Sequence, residues 1–260
     1  MLNQLKLFDS HCHLDMPEFE GNIDAIVSKC EEVGIGGILM PGVTKDSWRR
    51  IKQISARKPI CHAALGLHPM FVEKHHEKHL HDLEMSFSLG DVVAVGEIGL
   101  DFYESKNNSE LQIKYFEAQI DIAKNANLPV ILHVRKAHDH VLQILKKHNF
   151  SIGGIVHAFN GSEIQAEKYI NMGFKLGFGG AMTFPRAAKL HKLAASLPLE
   201  SIVLETDAPD MPPATCKTPF NTPLHLYDNF RSFVSLRNEP ASVLAKQTTL
   251  NVQSVLRLNS

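Results

Sequence analysis

A closed (β/α)8 barrel is the fold that this 260-residue sequence predicts, and three observations predict it. Eight short apolar runs rich in Val, Ile, Leu and Gly recur along the chain, each is followed by a polar turn and an amphipathic segment, and no Gly-x-Gly-x-x-Gly loop follows the first run. Strand-then-helix alternation implies parallel strands joined by right-handed crossovers. Near-continuous apolar strands between helices have both faces covered, which favours a barrel over an open doubly wound sheet, whose nucleotide-binding loop is also missing. Barrels of about 250 residues are common and no linker interrupts the pattern, so one α/β domain over residues 1–260 is expected.

The first run, LKLFDSHCH, ends in His11 and His13. On an extended strand, residues two apart leave by the same face, so both imidazoles point to one place while Cys12 points away. A helix over residues 22–33 follows, then GGILMPG, a helix over 46–57, and CHAALGLHP with His68. The charged stretch EKHHEKHLHDLE, with His75, His76, His79 and His81, reads as a solvated helix face. Strand four, VVAVGEIGL, carries Glu97, and Asp101 and Tyr103 come next. A longer helix over 110–127 sets Leu111, Tyr115, Ala118, Ile122 and Ala126 on one side. PVILHVR supplies His133 and Arg135, and GGIVHAF supplies His157. Gly161 and Ser162 precede a helix over 163–172, with Ser162 as its cap. KLGFGG is the seventh strand and SIVLETD the eighth, ending in Asp207. The Pro-rich loop APDMPPATCKTPFNTP is too long for a plain connection and reads as a lid or substrate wall. A terminal helix over 240–258 closes the barrel, with Val243, Leu244, Val255 and Leu256 toward the core.

The chain is 44% hydrophobic and 21% charged, which suits a globular protein with a sizeable core. A formal charge of −1 provides no global field for long nucleic acid, so phosphate recognition falls to a few cations, Arg135, Lys136, Arg186 and Lys217, expected around one mouth. Cys12, Cys30, Cys61 and Cys216 form no Cys-x-x-Cys pair and the N-terminus lacks a secretory apolar core, so a reduced cytoplasmic setting is expected. No apolar run approaches membrane-spanning length, and no membrane partner is expected.

His11, His13, Glu97, His133, His157 and Asp207 all fall at or near strand ends. Core strands rarely finish in uncompensated polar groups, so the six point to a divalent-metal site at the C-terminal rim, where barrels of this class carry their chemistry. Glu97, inside Val-Gly-Glu-Ile-Gly, would be an unpaired buried charge unless cations receive it. Four imidazoles favour Zn2+, Mn2+, Co2+ or Fe2+, with Mg2+ as a weaker candidate because it prefers oxygen ligands.

The motifs DSHCHLD, GLHP, VGEIGLDFY, LHVRKAHD, VHAFNGS and ETDAPDMP, in this order and spacing, resemble the TatD family of metal-dependent deoxyribonucleases in the amidohydrolase superfamily, closest to its YjjV-like branch. The resemblance runs essentially the whole chain. It implies a TIM barrel holding one to three divalent metals and hydrolysing DNA phosphodiesters, often from the 3′ end. It assigns His11, His13 and Asp207 to one metal, His133 and His157 to a second, and Glu97 as the bridge. Asp207 then takes the proton of the attacking water, and His68 and Arg135 match positions that contact the substrate phosphate. Asp101 and Tyr103 are expected to orient His68, Arg135 or a water.

The chain departs from the family pattern at Ala158 and Asn160, where relatives often have Cys and Ser, and at Asp210 and Met211, which replace Tyr-Leu. A usual basic stretch is reduced to Lys217. The expected activity is a two-metal phosphodiesterase of the deoxyribonuclease type, acting on DNA ends or small phosphodiesters. The alternatives are hydrolysis of a carbonyl ester, amide, lactone or aminoacyl-tRNA ester at the same site, and a metal-binding scaffold without turnover.

Overall fold

The computed structural model describes residues 5–87, 90–103 and 108–258. Strands β1 (Leu7–Asp9), β2 (Ile35–Pro41), β3 (Cys61–Leu65), β4 (Val92–Asp101), β5 (Val130–Arg135), β6 (Gly154–Val156), β7 (Phe174–Phe178) and β8 (Ile202–Leu204) form one sheet in sequence order. Every ladder from β1–β2 to β7–β8 is parallel. Around them run α1 (Ile23–Val33), α2 (Lys45–Arg57), α3 (Glu77–Met85), α4 (Ser109–Asn125), α5 (His138–Lys147), α6 (Glu163–Asn171), α7 (Ala188–Ser196), α8 (Leu226–Leu236) and α9 (Ala241–Val255). The architecture is a TIM barrel.

Side-chain alternation along the strands sorts the core into two layers. Phe8, Leu39, Ala64, Ala94, Ile131, Ile155 and Val203 fill the barrel interior, and Val252, Val255 and Leu256 of the α9 segment pack against them. The alternate residues, among them Leu7, Ile38, Leu65, Leu132, Leu176 and Leu204, pack in the larger cluster shared with the surrounding helices. Gly37 makes the interior layer possible, because a Cβ there would stand 2.2 Å from the Phe8 ring. The lower barrel is thus filled, and the open end lies at the strand C-termini.

The β8–β1 seam closes through the residues that follow each strand. Ser10 donates its N–H to Leu204 O (3.0 Å), Asp207 N–H to His11 O (2.8 Å) and His13 N–H to Ala208 O (2.8 Å). Buried Asp9 accepts from both the N–H (2.9 Å) and the hydroxyl (2.6 Å) of Thr206. Closing the barrel therefore places His11 and His13 beside Asp207.

Three local expectations change. On α4 the buried face is Gln112, Tyr115, Phe116, Gln119, Ile120 and Ala123, while Leu111 is exposed. Gln112 and Gln119 are buried because their amides bond the backbone of Asp101 and Leu67. On α9 Val243 is exposed, whereas Leu244, Val255 and Leu256 are buried as expected. His75 lies before α3, and it is buried with Nε2 donating to His68 O at 2.9 Å, so only part of the histidine-rich stretch is solvated. Among the described residues, no helix is long and apolar enough to cross a membrane.

Candidate metal centre

All six residues expected as metal ligands converge at the open end. The two oxygens of buried Glu97 face different neighbours. Oε2 lies 3.1 Å from His11 Nε2 and 3.6 Å from His13 Nε2, and Asp207 Oδ1 is 3.6 Å from each of those nitrogens. Oε1 lies 3.1 Å from His133 Nδ1 and 2.9 Å from His157 Nε2, which are 3.3 Å apart. The His11 and His157 rings stack with centroids 4.0 Å apart, so the two donor groups adjoin. Glu97 is not at a strand end as expected: β4 continues to Asp101, and Glu97 sits at an irregularity in the β4–β5 register. Conversely, β1 stops at Asp9, and His11 and His13 hang from the seam bonds beyond it.

For His13 and His133 the hydrogen bond on the far side of the ring shows which nitrogen the neutral imidazole turns to the cluster. His13 Nδ1 donates to Pro41 O (3.1 Å), so neutral His13 turns an unprotonated Nε2 to His11 Nε2, only 3.2 Å away, and to two carboxylates. His133 Nε2 donates to Asp101 Oδ2 (3.0 Å), leaving Nδ1 bare toward Glu97 and His157. Lone pairs facing lone pairs repel unless a cation sits among them. Donors about 2.1 Å from a shared tetrahedral ion stand roughly 3.4 Å from one another, which is the spacing seen in both groups. The donor set fits divalent ions.

His68 differs. Its Nδ1 accepts from Met70 N–H (3.1 Å), so its proton is on Nε2, which donates to Glu97 Oε1 (3.1 Å). Burial holds its pKa down at about 4, and it stays neutral at pH 7. Although it is as near Glu97 as the other rings, His68 is a hydrogen-bond donor in this arrangement. Arg135, with a side chain 40% exposed, stacks over the Tyr103 ring (3.7 Å) and approaches Asp101 Oδ2 (3.9 Å). Asp101 therefore orients both His133 and Arg135, and Tyr103 orients the latter, as one of the sequence expectations had it.

A cavity of about 550 Å3 opens over the cluster. His13, His68, Glu97, His133, Arg135, His157 and Asp207 line it, together with Met16, Met70, Phe71, Phe159, Phe178 and Met182. Of the four cations expected at the mouth, Arg135 alone is in the lining among the described residues; Lys136, Arg186 and Lys217 are exposed and outside that lining. The loop after β8 forms a wall through Asp210 and Met211. Buried Asn221 pins it, with its side-chain amide donating to Thr206 O (2.8 Å) and Asp210 O (2.7 Å). Ser162 caps α6 in a reciprocal bond with Gln165, as expected.

Sequence reasoning missed Glu205 and Asp9. Glu205 is buried in the cavity floor, and Asp9 ties the seam that sets His11 and Asp207. The signal for Glu205 was present, because Glu205 and Asp207 are two apart at the end of an apolar run, the same pattern as His11 and His13.

Charge in this cluster couples cation and proton binding. Burial alone would lower the pKa of His157, but Glu97, Asp207 and Glu205 push it up to about 10. At neutral pH the metal-free ring therefore carries a proton that an ion must displace. Metal affinity should rise about tenfold per pH unit for each proton displaced, and level off as pH passes the raised value. Titration calorimetry at pH 7 in buffers of different ionisation enthalpy is expected to show at least one proton released. Buffer-independent heats would contradict this.

The sequence matches the family model "TatD related DNase" over residues 8–257. It is 38% identical to the uncharacterised metal-dependent hydrolase YjjV of Escherichia coli K12 over 255 residues, covering 97% of this chain and 98% of that one. It is 29% identical to the 3'-5' ssDNA/RNA exonuclease TatD of Erwinia billingiae, covering 97% and 99%. The crystal structure of the Escherichia coli K12 YjjV, a TatD homologue, superposes with a TM-score of 0.94 at 37% identity and full coverage of both chains.

Proposed function

Because this chain belongs to the TatD family of metal-dependent hydrolases, we propose that it cleaves phosphodiester bonds at DNA ends or in small phosphodiesters, with two divalent ions held at the Glu97 cluster. In this reading His11, His13 and Asp207 hold one ion, His133 and His157 the other, and Glu97 joins them. The observation that carries it is the division of Glu97, one oxygen toward each group of imidazole nitrogens. When bound, such ions supply Lewis acidity and a water acidic enough to lose its proton near neutral pH.

The chain's own residues supply the rest. Asp207 borders both the cluster and the cavity, so its carboxylate can accept the proton of the attacking water. Arg135, pre-oriented by Tyr103 and Asp101, can hold phosphate oxygens with its planar fork. His68 lines the cavity with its single N–H on Glu97 Oε1, and it can give that N–H to an oxygen of the substrate or leaving group only in exchange for this bond. A cavity of about 550 Å3 is of small-ligand size. Among the described residues Arg135 is the one cation in the lining, and a polymer track rests on several phosphate contacts, so a terminal nucleotide or small diester fits these residues better. The 3'-5' exonuclease name of the Erwinia relative agrees with action at an end.

A second reading has a specific observation in its favour. Met16, Met70, Phe71, Phe159, Phe178 and Met182 make the walls mainly apolar and Asp210 adds a carboxylate, which suits a carbonyl ester or lactone. The separating experiment offers the metal-loaded protein a labelled oligonucleotide, a generic phosphodiester, and a panel of lactones and aminoacyl esters. The proposal expects phosphodiester cleavage to dominate, with single nucleotides released from oligonucleotide ends. Faster turnover of a lactone or aminoacyl ester would select the second reading, and no turnover of any would leave a metal-binding scaffold.

A further inference from the structure

We propose that Glu205 is a positioning residue for His157, holding this ligand and its proton in place so that Nε2 stays bare toward the second ion. This rests on the reading of His133 and His157 as ligands of one ion.

Two of the four rings are held from behind, His13 by Pro41 O and His133 by Asp101, whereas His11 Nδ1 is buried with no hydrogen-bond partner among the described residues. His157 has no such bond: its Nδ1 is buried and has no hydrogen-bond partner among the described residues. The carboxylate oxygen beside it is Glu205 Oε1, 3.8 Å away. That same oxygen accepts the N–H of Ala158 at 2.6 Å. Ala158 follows His157 directly and takes the left-handed conformation, φ 43°, which a non-glycine residue adopts only when held there. Glu205 therefore acts on His157 twice, through the backbone turn that carries the ring and as the carboxyl group facing its Nδ1 side.

The fold makes room for this carboxylate. Gly177 on β7 is the neighbour whose missing Cβ leaves the slot, since a Cβ there would stand 2.2 Å from Glu205 Oε2. Glu205 is buried with Oε2 unpartnered, and among the described residues His157 is the cationic group paired with it. A carboxylate behind a ligating imidazole fixes its tautomer and raises its basicity, and removing such a partner typically lowers metal affinity 10- to 100-fold.

The test uses two variants of the full chain. Glu205→Gln keeps size and an oxygen for Ala158 N–H but removes the charge; Gly177→Ala changes no polar group and pushes the carboxylate from its slot. Metal-stripped protein is titrated with Zn2+ or Mn2+ against a competing chelator, and thermal unfolding of the metal-free protein is followed in parallel. For Glu205→Gln we expect the affinity of one equivalent to fall at least about tenfold while the other changes less than about threefold and the metal-free melting temperature holds. Gly177→Ala should weaken the same equivalent, and the double variant should be no worse than the poorer single one. Two equivalents bound by Glu205→Gln with wild-type affinities overturn the role of Glu205 and leave the two-ion reading standing. A wild type that takes up no second equivalent overturns both.

Discussion

Replacing Asp207 by Asn should lower turnover at least about a hundredfold while leaving the fold intact, the range seen when a general base is removed. Asn is the informative substitution for two reasons. Asp207 sits at φ 56°, a left-handed position that Asn tolerates and most residues do not, and its N–H holds the seam by donating to His11 O. Both features survive in the variant. What is lost is the carboxylate that lies 3.6 Å from the Nε2 atoms of His11 and His13 and borders the cavity. Burial raises the pKa of Asp207, with the charge of His157 working against that rise, so the group is a stronger base than a solvated carboxylate. Metal content and steady-state rates measured on the same samples separate its two duties. An Asn variant that holds both ions and hydrolyses phosphodiesters at close to the wild-type rate would show that Asp207 is not the base.

Glu97→Gln should be more damaging. Each Glu97 oxygen faces its own pair of nitrogens, and an amide can offer only one oxygen, so one donor group loses a ligand outright and both lose half-shares in a negative charge. In the metal-free protein, burial would raise the Glu97 pKa, but His68, His157 and His11 around it hold it well below the ordinary value, and it remains a carboxylate at neutral pH. Lewis-acid assistance contributes several kcal/mol to hydrolysis, and losing about 4 kcal/mol slows a reaction about a thousandfold. We expect weaker binding of both ions and a rate loss on that order. A Gln variant that binds two ions normally would remove Glu97 from the bridging position.

The eight strands were legible because each is an apolar run long enough to stand out, and the rim was legible because those runs end in groups that a core does not accept unpartnered, His133 and His157 being the plainest cases. Periodicity shows that a helix has an apolar side but not which neighbouring residues complete it. Leu111 and Val243 were misplaced for that reason, since buried Gln112, Gln119 and Thr248 satisfy their polar groups on the backbone and take the inward positions. Long-range pairing is likewise invisible in one sequence. The carbonyl of His68 that draws His75 inward, the slot at Gly177 that admits Glu205, and the absence of Lys136, Arg186 and Lys217 from the cavity lining all depend on which elements meet.

The central claim, two ions sharing Glu97, is tested most directly by counting metal in untagged protein after stripping and dialysis against Zn2+ or Mn2+. Wild type should hold two equivalents per chain. Paired substitutions then distinguish the two groups: His11→Ala with His13→Ala empties one and should retain one equivalent, whereas His13→Ala with His133→Ala crosses both and should retain none. Equal depletion in the two double variants, or no transition metal bound by the wild type, would contradict the account.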